Sequence, residues 1–155
     1  MLHFAYGANM DRAVMRKYAP AAEPLGVAAL PHHRFVITAD GYASVVPARA
    51  ATVHGVLWRL TPRDRVMLDV WESVACGHYR AAMPAVLHAS VRRQALVYVA
   101  RPRPLGRARP GYMELVVAAA RAWHLPVDYT AMLQRWLPKA PRGAGHRSLK
   151  EFAWT

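Results

Sequence analysis

Two stretches of this sequence bring together residue types that can hold a negative charge or move a proton. The first is Phe4-Ala5-Tyr6-Gly7-Ala8-Asn9-Met10. A short apolar, aromatic strand that stops at a glycine turn and hands over to a helix directs several backbone N–H groups at one point. Such a loop can hold a carboxylate or a developing oxyanion without a charged side chain, and its small residues allow close approach. The second is Leu68-Asp69-Val70-Trp71-Glu72, followed by Gly77-His78-Tyr79. Glu72 falls just past an apolar helix face, beside Val70, Trp71 and Val74, where partial burial raises a carboxyl pKa toward the range of a general base. Tyr112 follows an Arg/Pro loop at the start of a later helix, where it can close a pocket and donate a hydrogen bond. Taken singly, each has an ordinary reading as a strand-to-helix turn, a solvated helix-end glutamate or a boundary tyrosine.

Other chemistry is thinner. Cys76 has no activating neighbour in sequence and reads as a buried structural thiol rather than a nucleophile. The histidines include the adjacent pair His32-His33, but no HxxxH helix or Cys/His cluster is present, so no metal site is expected. His124 falls at a helix end, where it meets the helix dipole.

The elements that must position these residues follow from periodicity and punctuation. A first strand over residues 2–6 feeds the Gly7 turn, and Asn9 or Asp11 can cap a helix over 12–18 that Pro20 ends. Extended segments are predicted over 25–30, 34–38 and 42–46, separated by Pro31, Asp40-Gly41 and Pro47. A strand over 52–60 runs into Thr61-Pro62-Arg63-Asp64. That start is strong: an N-cap oxygen, a proline where the missing N–H does no harm, and an acid at the positive helix end. The helix runs to about residue 71, with Met67, Val70 and Trp71 on its apolar side. Strands over 79–88 and 92–100, an Arg/Pro loop over 101–110, and helices over 111–123 and 128–137 complete the order. Residues 1–137 form one domain, and 138–155 form a basic Pro/Gly-containing tail, partly docked through Phe152-Ala153-Trp154. The mixed order and short links argue for α+β, with a curled or closed, mainly antiparallel sheet flanked by helices.

Composition bounds the class. The chain has 155 residues, 54% hydrophobic against 19% charged, which suits one well-filled domain and excludes a disordered chain. No apolar run approaches the roughly 20 residues of a membrane span. The N-terminus lacks a secretory layout and the single cysteine cannot form an internal disulfide, so a cytoplasmic setting is expected. The formal net charge of +12 invites a nucleic-acid reading. The cations are nearly all arginine, with lysine only at Lys17, Lys139 and Lys150. In an Ala/Arg/Pro-rich chain that pattern reads as a compositional bias carried on a solvated surface, and no helix-turn-helix, RNA-recognition or zinc signature accompanies it.

Taken in order, FAYGANM, TVHGVLWRLTPRDRVMLDVWE, GHYR and RPGYMELVVAAARAWHLPVDY resemble the γ-glutamylcyclotransferase (AIG2-like) family. That family carries a YGSNL-like loop, a GVLYRL-like strand, an LDxxEG-like helix end, a GxY step and a helical tyrosine segment. The resemblance runs from Phe4 to about Trp136. It implies a small, mainly antiparallel β-barrel with flanking helices and a cavity. It implies that Phe4, Ala5, Tyr6, Gly7, Ala8, Asn9 and Met10 bind the γ-glutamyl head, that Glu72 is the catalytic acid/base, and that Tyr79 and Tyr112 line the pocket. Two positions depart from the pattern: Ala8 stands where the family has Ser, which removes a hydroxyl and leaves the backbone donors, and Ser73 stands where Gly follows the glutamate.

The implied reaction is a carbon–nitrogen cleavage in which the α-amino group of a γ-glutamyl amide closes on the γ-carbonyl, releasing 5-oxoproline and an amine or amino acid. It requires no metal or other cofactor. The expected partner is a small γ-glutamyl molecule, with no membrane and no nucleic acid, and a homodimer left open. Two alternatives share the fold: an enzyme acting on a γ-glutamylated amine or biosynthetic intermediate, and a binding protein without catalysis, which retention of Glu72 disfavours.

Overall fold

A computed structural model describes residues 1–139, an α+β arrangement of seven strands and four α-helices. The basic tail expected from residue 138 lies almost wholly outside the described residues. The first strand, β1 (Leu2–Ala5), ends in a 3₁₀ turn (Ala8–Met10), and Asp11 caps α1 (Arg12–Tyr18) by accepting from Ala13 N at 2.8 Å and Val14 N at 2.9 Å. Two long strands then form an antiparallel hairpin, β2 (Glu23–Ile37) and β3 (Ala43–Arg59).

These two strands correct the sequence reading, which broke them into shorter pieces at Pro31 and Pro47. The ladder absorbs both prolines. Its register shifts between Pro31 and His33, with His32 at φ 59°, so one bulge accommodates the break. Pro47 pairs with His33 along a stretch of β3 that β1 does not reach, since β1 covers only Val56 to Arg59. There a missing N–H interrupts nothing on the β1 side. Conversely, the two later strands expected whole are each divided: β4 (Tyr79–Ala82) and β5 (Ala85–His88) on one arm, β6 (Val91–Gln94) and β7 (Val97–Ala100) on the other. The two arms bend together around Pro84, whose carbonyl accepts from Ala95 N at 3.2 Å.

The bend curls the sheet. The outer half of the bent hairpin joins β2 through β5, giving the order β1-β3-β2-β5-β6, while the inner half, β4-β7, returns to β1. The return is a single parallel bridge, His3 with Leu96, carried by Phe4 N to Leu96 O at 2.9 Å and Leu96 N to Leu2 O at 2.8 Å. The wall is therefore barrel-like and not a true closed barrel. A closed barrel needs a continuous ladder at the seam, and one bridge does not supply it.

Helices α2 (Pro62–Trp71), α3 (Tyr112–Ala122) and α4 (Val127–Gln134) complete the domain. The start of α2 is a full capping box, with Thr61 and Asp64 each bonding the other's backbone N–H. Its buried face is Asp64 and Leu68, one turn apart, and not the Met67, Val70 and Trp71 side expected. At about 100° per residue Val70 is turned some 200° from Leu68 and is 74% exposed. Phe4, Met10, Leu57, Leu68, Met113 and Leu133 are fully buried side chains of one core that joins the sheet to α3 and α4. Burying each contributes roughly 1.5–3 kcal/mol, which fixes β1 and the end of α2 relative to one another.

Candidate active site

The glycine loop and the end of α2 meet over one cavity of about 480 Å³. Residues 4–9, Glu72, Tyr79 and Tyr112 all line it, so the residues singled out in sequence converge. Met10 is the exception. It is fully buried in the core, and its carbonyl accepts from Trp123 Nε1 at 2.8 Å. The 3₁₀ turn advances about 120° per residue, so Asn9 and Met10 cannot face the same way.

Gly7 is required by close approach. A Cβ there would lie 2.7 Å from Tyr112 Oη and 3.4 Å from the Ala43 Cβ. Tyr112 Oη accepts from Ala43 N at 3.2 Å, and Tyr79 donates its hydroxyl to Ala43 O at 2.7 Å. The two tyrosines thus hold the N–H and the C=O of one residue of β3. Burial, as the leading cause, raises both hydroxyl pKa values, so both stay neutral hydrogen-bonding groups at ordinary pH. Tyr112 was expected to donate; toward the backbone of Ala43 it accepts. Among the described residues the N–H groups of Gly7 and Asn9 find no carbonyl acceptor, which leaves them available at the cavity.

Glu72 is the C-cap residue of α2, held there by its own N–H to Leu68 O at 2.8 Å. The residue is half-buried, and its carboxylate at the cavity wall accepts from Asn9 Nδ2 at 2.8 Å. Desolvation raises its pKa from 4.5 to about 7, opposed by the Asn9 hydrogen bond. A carboxyl in that range is partly ionised near neutrality, so it can both accept and return a proton. Ser73, which follows it, takes φ 51°. The chain keeps the left-handed turn that favours glycine and carries a serine through it.

Several lining residues escaped the sequence reading. Tyr98 donates to Asp69 Oδ1 at 2.7 Å, and that oxygen also accepts from Arg65 Nε at 2.8 Å. Tyr6 in turn donates to the carbonyl of Tyr98, which braces the loop from behind. His3 is buried and bonds Leu96 O through Nδ1 at 3.1 Å; burial lowers its pKa to about 4, so it stays neutral. At the mouth, Tyr18 stacks on Trp71 with ring centroids 3.7 Å apart, and Lys17 Nζ sits 5.1 Å from the Tyr18 ring centroid. The helical spacing of Val14, Lys17 and Tyr18 was a usable signal that one face of α1 is shared. The pairing of Tyr18 with Trp71, across more than fifty residues of sequence, had none. Cys76, expected to be buried, is exposed in the turn after α2 and takes no part in the cavity. Among the described residues no group of three or more His, Cys, Asp or Glu side chains gathers as a metal site. Among the same residues no helix is long and apolar enough to cross a membrane.

The sequence matches the AIG2-like family over residues 52–133. No curated protein matches it. Among solved structures, a protein described as a gamma-glutamyl cyclotransferase superposes with a TM-score of 0.84 at 21% identity, over 93% of this chain and 92% of that one. An uncharacterized protein from Homo sapiens gives a TM-score of 0.84 at 22% identity, over 96% and 94%. YkqA from Bacillus subtilis gives 0.76 at 25% identity, over 87% of this chain and 53% of its own. At these identities the first two likenesses establish the fold.

Proposed function

Because the chain belongs to the AIG2-like family, we propose that it is a cyclotransferase that cleaves a γ-glutamyl amide by ring closure, with Glu72 as the acid/base. The observation that carries this reading is Glu72 itself: a carboxyl at the wall of the cavity, brought to a pKa of about 7 by desolvation and held by Asn9.

A γ-glutamyl amide brings its own nucleophile. Its α-amino nitrogen attacks the γ-carbonyl carbon to close a five-membered ring, the carbonyl electrons move to oxygen, and collapse of that oxyanion breaks the bond to the leaving nitrogen. The attacking nitrogen passes from an ammonium to a lactam N–H and so gives up two protons; Glu72 relays each in turn to the leaving nitrogen, which passes from an amide N–H to a departing ammonium, so protons balance over one turnover. The free N–H groups of Gly7 and Asn9 are suited to hold the head-group carboxylate or the oxyanion. Ala8 offers no hydroxyl, and the head group rests on backbone donors. Holding nucleophile and carbonyl in one folded conformer is the larger share of the work.

The test is to incubate the protein with a panel of γ-glutamyl amino acids and γ-glutamyl amines and follow 5-oxoproline by mass spectrometry, beside Glu72→Gln. The expected result is 5-oxoproline from the parent and a loss of about 10²–10⁴-fold in the folded variant. Free glutamate as first product would make the protein a hydrolase, and near-normal turnover by Glu72→Gln would remove Glu72 from the mechanism.

A further inference from the structure

The cavity separates its charges. Of its lining side chains among the described residues, Glu72 lies at the end of α2 and Lys17 in the last turn of α1, with no other carboxylate, lysine or arginine between them. The two are joined by an aromatic ledge: Trp71, next to Glu72 in sequence, stacks on Tyr18 at 3.7 Å, and the Lys17 ammonium lies 5.1 Å from the Tyr18 ring centroid. Lys17 is exposed and stands at the far end of that ledge from Glu72. The loop and Glu72 are occupied with the glutamyl head, so the group that reaches Lys17 is the one that leaves.

We propose that Lys17 is a specificity-determining residue that reads a carboxylate on the leaving group, selecting γ-glutamyl amino acids or peptides over γ-glutamyl amines. This rests on the cyclotransferase reading above. A leaving amino acid laid along the Trp71–Tyr18 ledge brings its own carboxylate toward the ammonium. A leaving diamine brings a second cation toward Lys17 and finds no acid beside it. The chain's formal charge of +12 acts in the same direction. A γ-glutamyl amino acid carries two carboxylates against one ammonium, so it is net anionic and is drawn in, whereas a γ-glutamyl diamine is net cationic.

The experiment compares γ-glutamyl-alanine with γ-glutamyl-ethylamide, which differ only in that carboxylate, and reads the ratio of their kcat/KM values. Wild type should favour the alanine substrate. Lys17→Met should lower the ratio about two- to fivefold, the upper range of an exposed ion pair, and Lys17→Glu should lower it further and favour γ-glutamyl-putrescine. Added salt should compress the wild-type preference. An unchanged ratio in Lys17→Met overturns the proposal, including the case in which both substrates weaken together because Lys17 serves the head group. Calorimetric binding of the same pair to Glu72→Gln, with and without Lys17→Met, reads the ratio without turnover. Absence of 5-oxoproline from both substrates with wild type would thus count against the reaction alone, and absence of a differential effect in binding would count against Lys17 alone.

Discussion

Asn9 Nδ2 donates to Glu72 Oε1 at 2.8 Å, tying the glycine loop to the end of α2 across 63 residues of sequence. The bond stabilises the ionised carboxylate against the desolvation that dominates its environment. Asn9→Ala removes the opposing influence and leaves desolvation alone. The kinetic pKa on the acid limb of the kcat/KM profile should then move above the value of about 7 expected for the parent. A profile unchanged in position would mean that the bond does not govern the ionisation.

Glu72 also links pH to stability. Its folded pKa of about 7 lies above the ordinary 4.5, so the folded state holds the proton more tightly than the unfolded chain. The associated stability is fully present below about pH 4.5, falls as pH rises toward 7, and is absent above it. Glu72→Gln removes the ionisation, so its stability relative to the parent should improve by roughly 1–3 kcal/mol between pH 4.5 and pH 8, discounted for the partial exposure of the side chain. Denaturant melts of both proteins at the two pH values measure this, and a pH-independent difference would show that the carboxyl is not desolvated.

Gly7 and Tyr112 should behave as a coupled pair. A Cβ on residue 7 would sit 2.7 Å from Tyr112 Oη, which must shift and loosen its bond from Ala43 N. Gly7→Ala is expected to raise KM and lower kcat/KM by about tenfold or more. In a Tyr112→Phe background the hydroxyl is gone, and the further cost of Gly7→Ala should shrink by about 0.5–3 kcal/mol of coupling. Additive effects would mean that the glycine answers to something other than that hydroxyl.

Ser73 at φ 51° carries a side chain through a left-handed turn beside Glu72. Ser73→Gly removes that strain at the expense of a more flexible unfolded chain, and a net gain of about 0.5–1 kcal/mol is expected. A destabilised Ser73→Gly protein would show that the hydroxyl makes a compensating bond.

Much of this was legible because local chemistry and final structure agree. Thr61-Pro62-Arg63-Asp64 announced α2, the Gly7 turn announced the loop, and order along the chain tied them to one family. What was not legible depended on partners distant in sequence. Pro31 and Pro47 read as breaks because a lone strand has no way to show that a bulge or a free edge will absorb them. Met10 read as part of the loop because its direction is set by the 3₁₀ turn. Val70 read as core because periodicity marks an apolar stripe without saying which side finds a partner, and the partnered side was Leu68. The Asn9–Glu72 bond and the Tyr18–Trp71 stack left no trace in sequence, since each joins residues brought together only by the core.

The central claim is that the substrate's own α-amino group makes the attack. Matched free-amine and N-acetyl forms of one γ-glutamyl substrate test it most directly, with competitive inhibition by the acetyl compound as the control for occupancy. The account expects 5-oxoproline from the free amine and no cleavage of the acetyl form even where it inhibits, because no group at the site replaces the missing nucleophile. Cleavage of the acetyl compound at a comparable rate would contradict the account and point to attack by water.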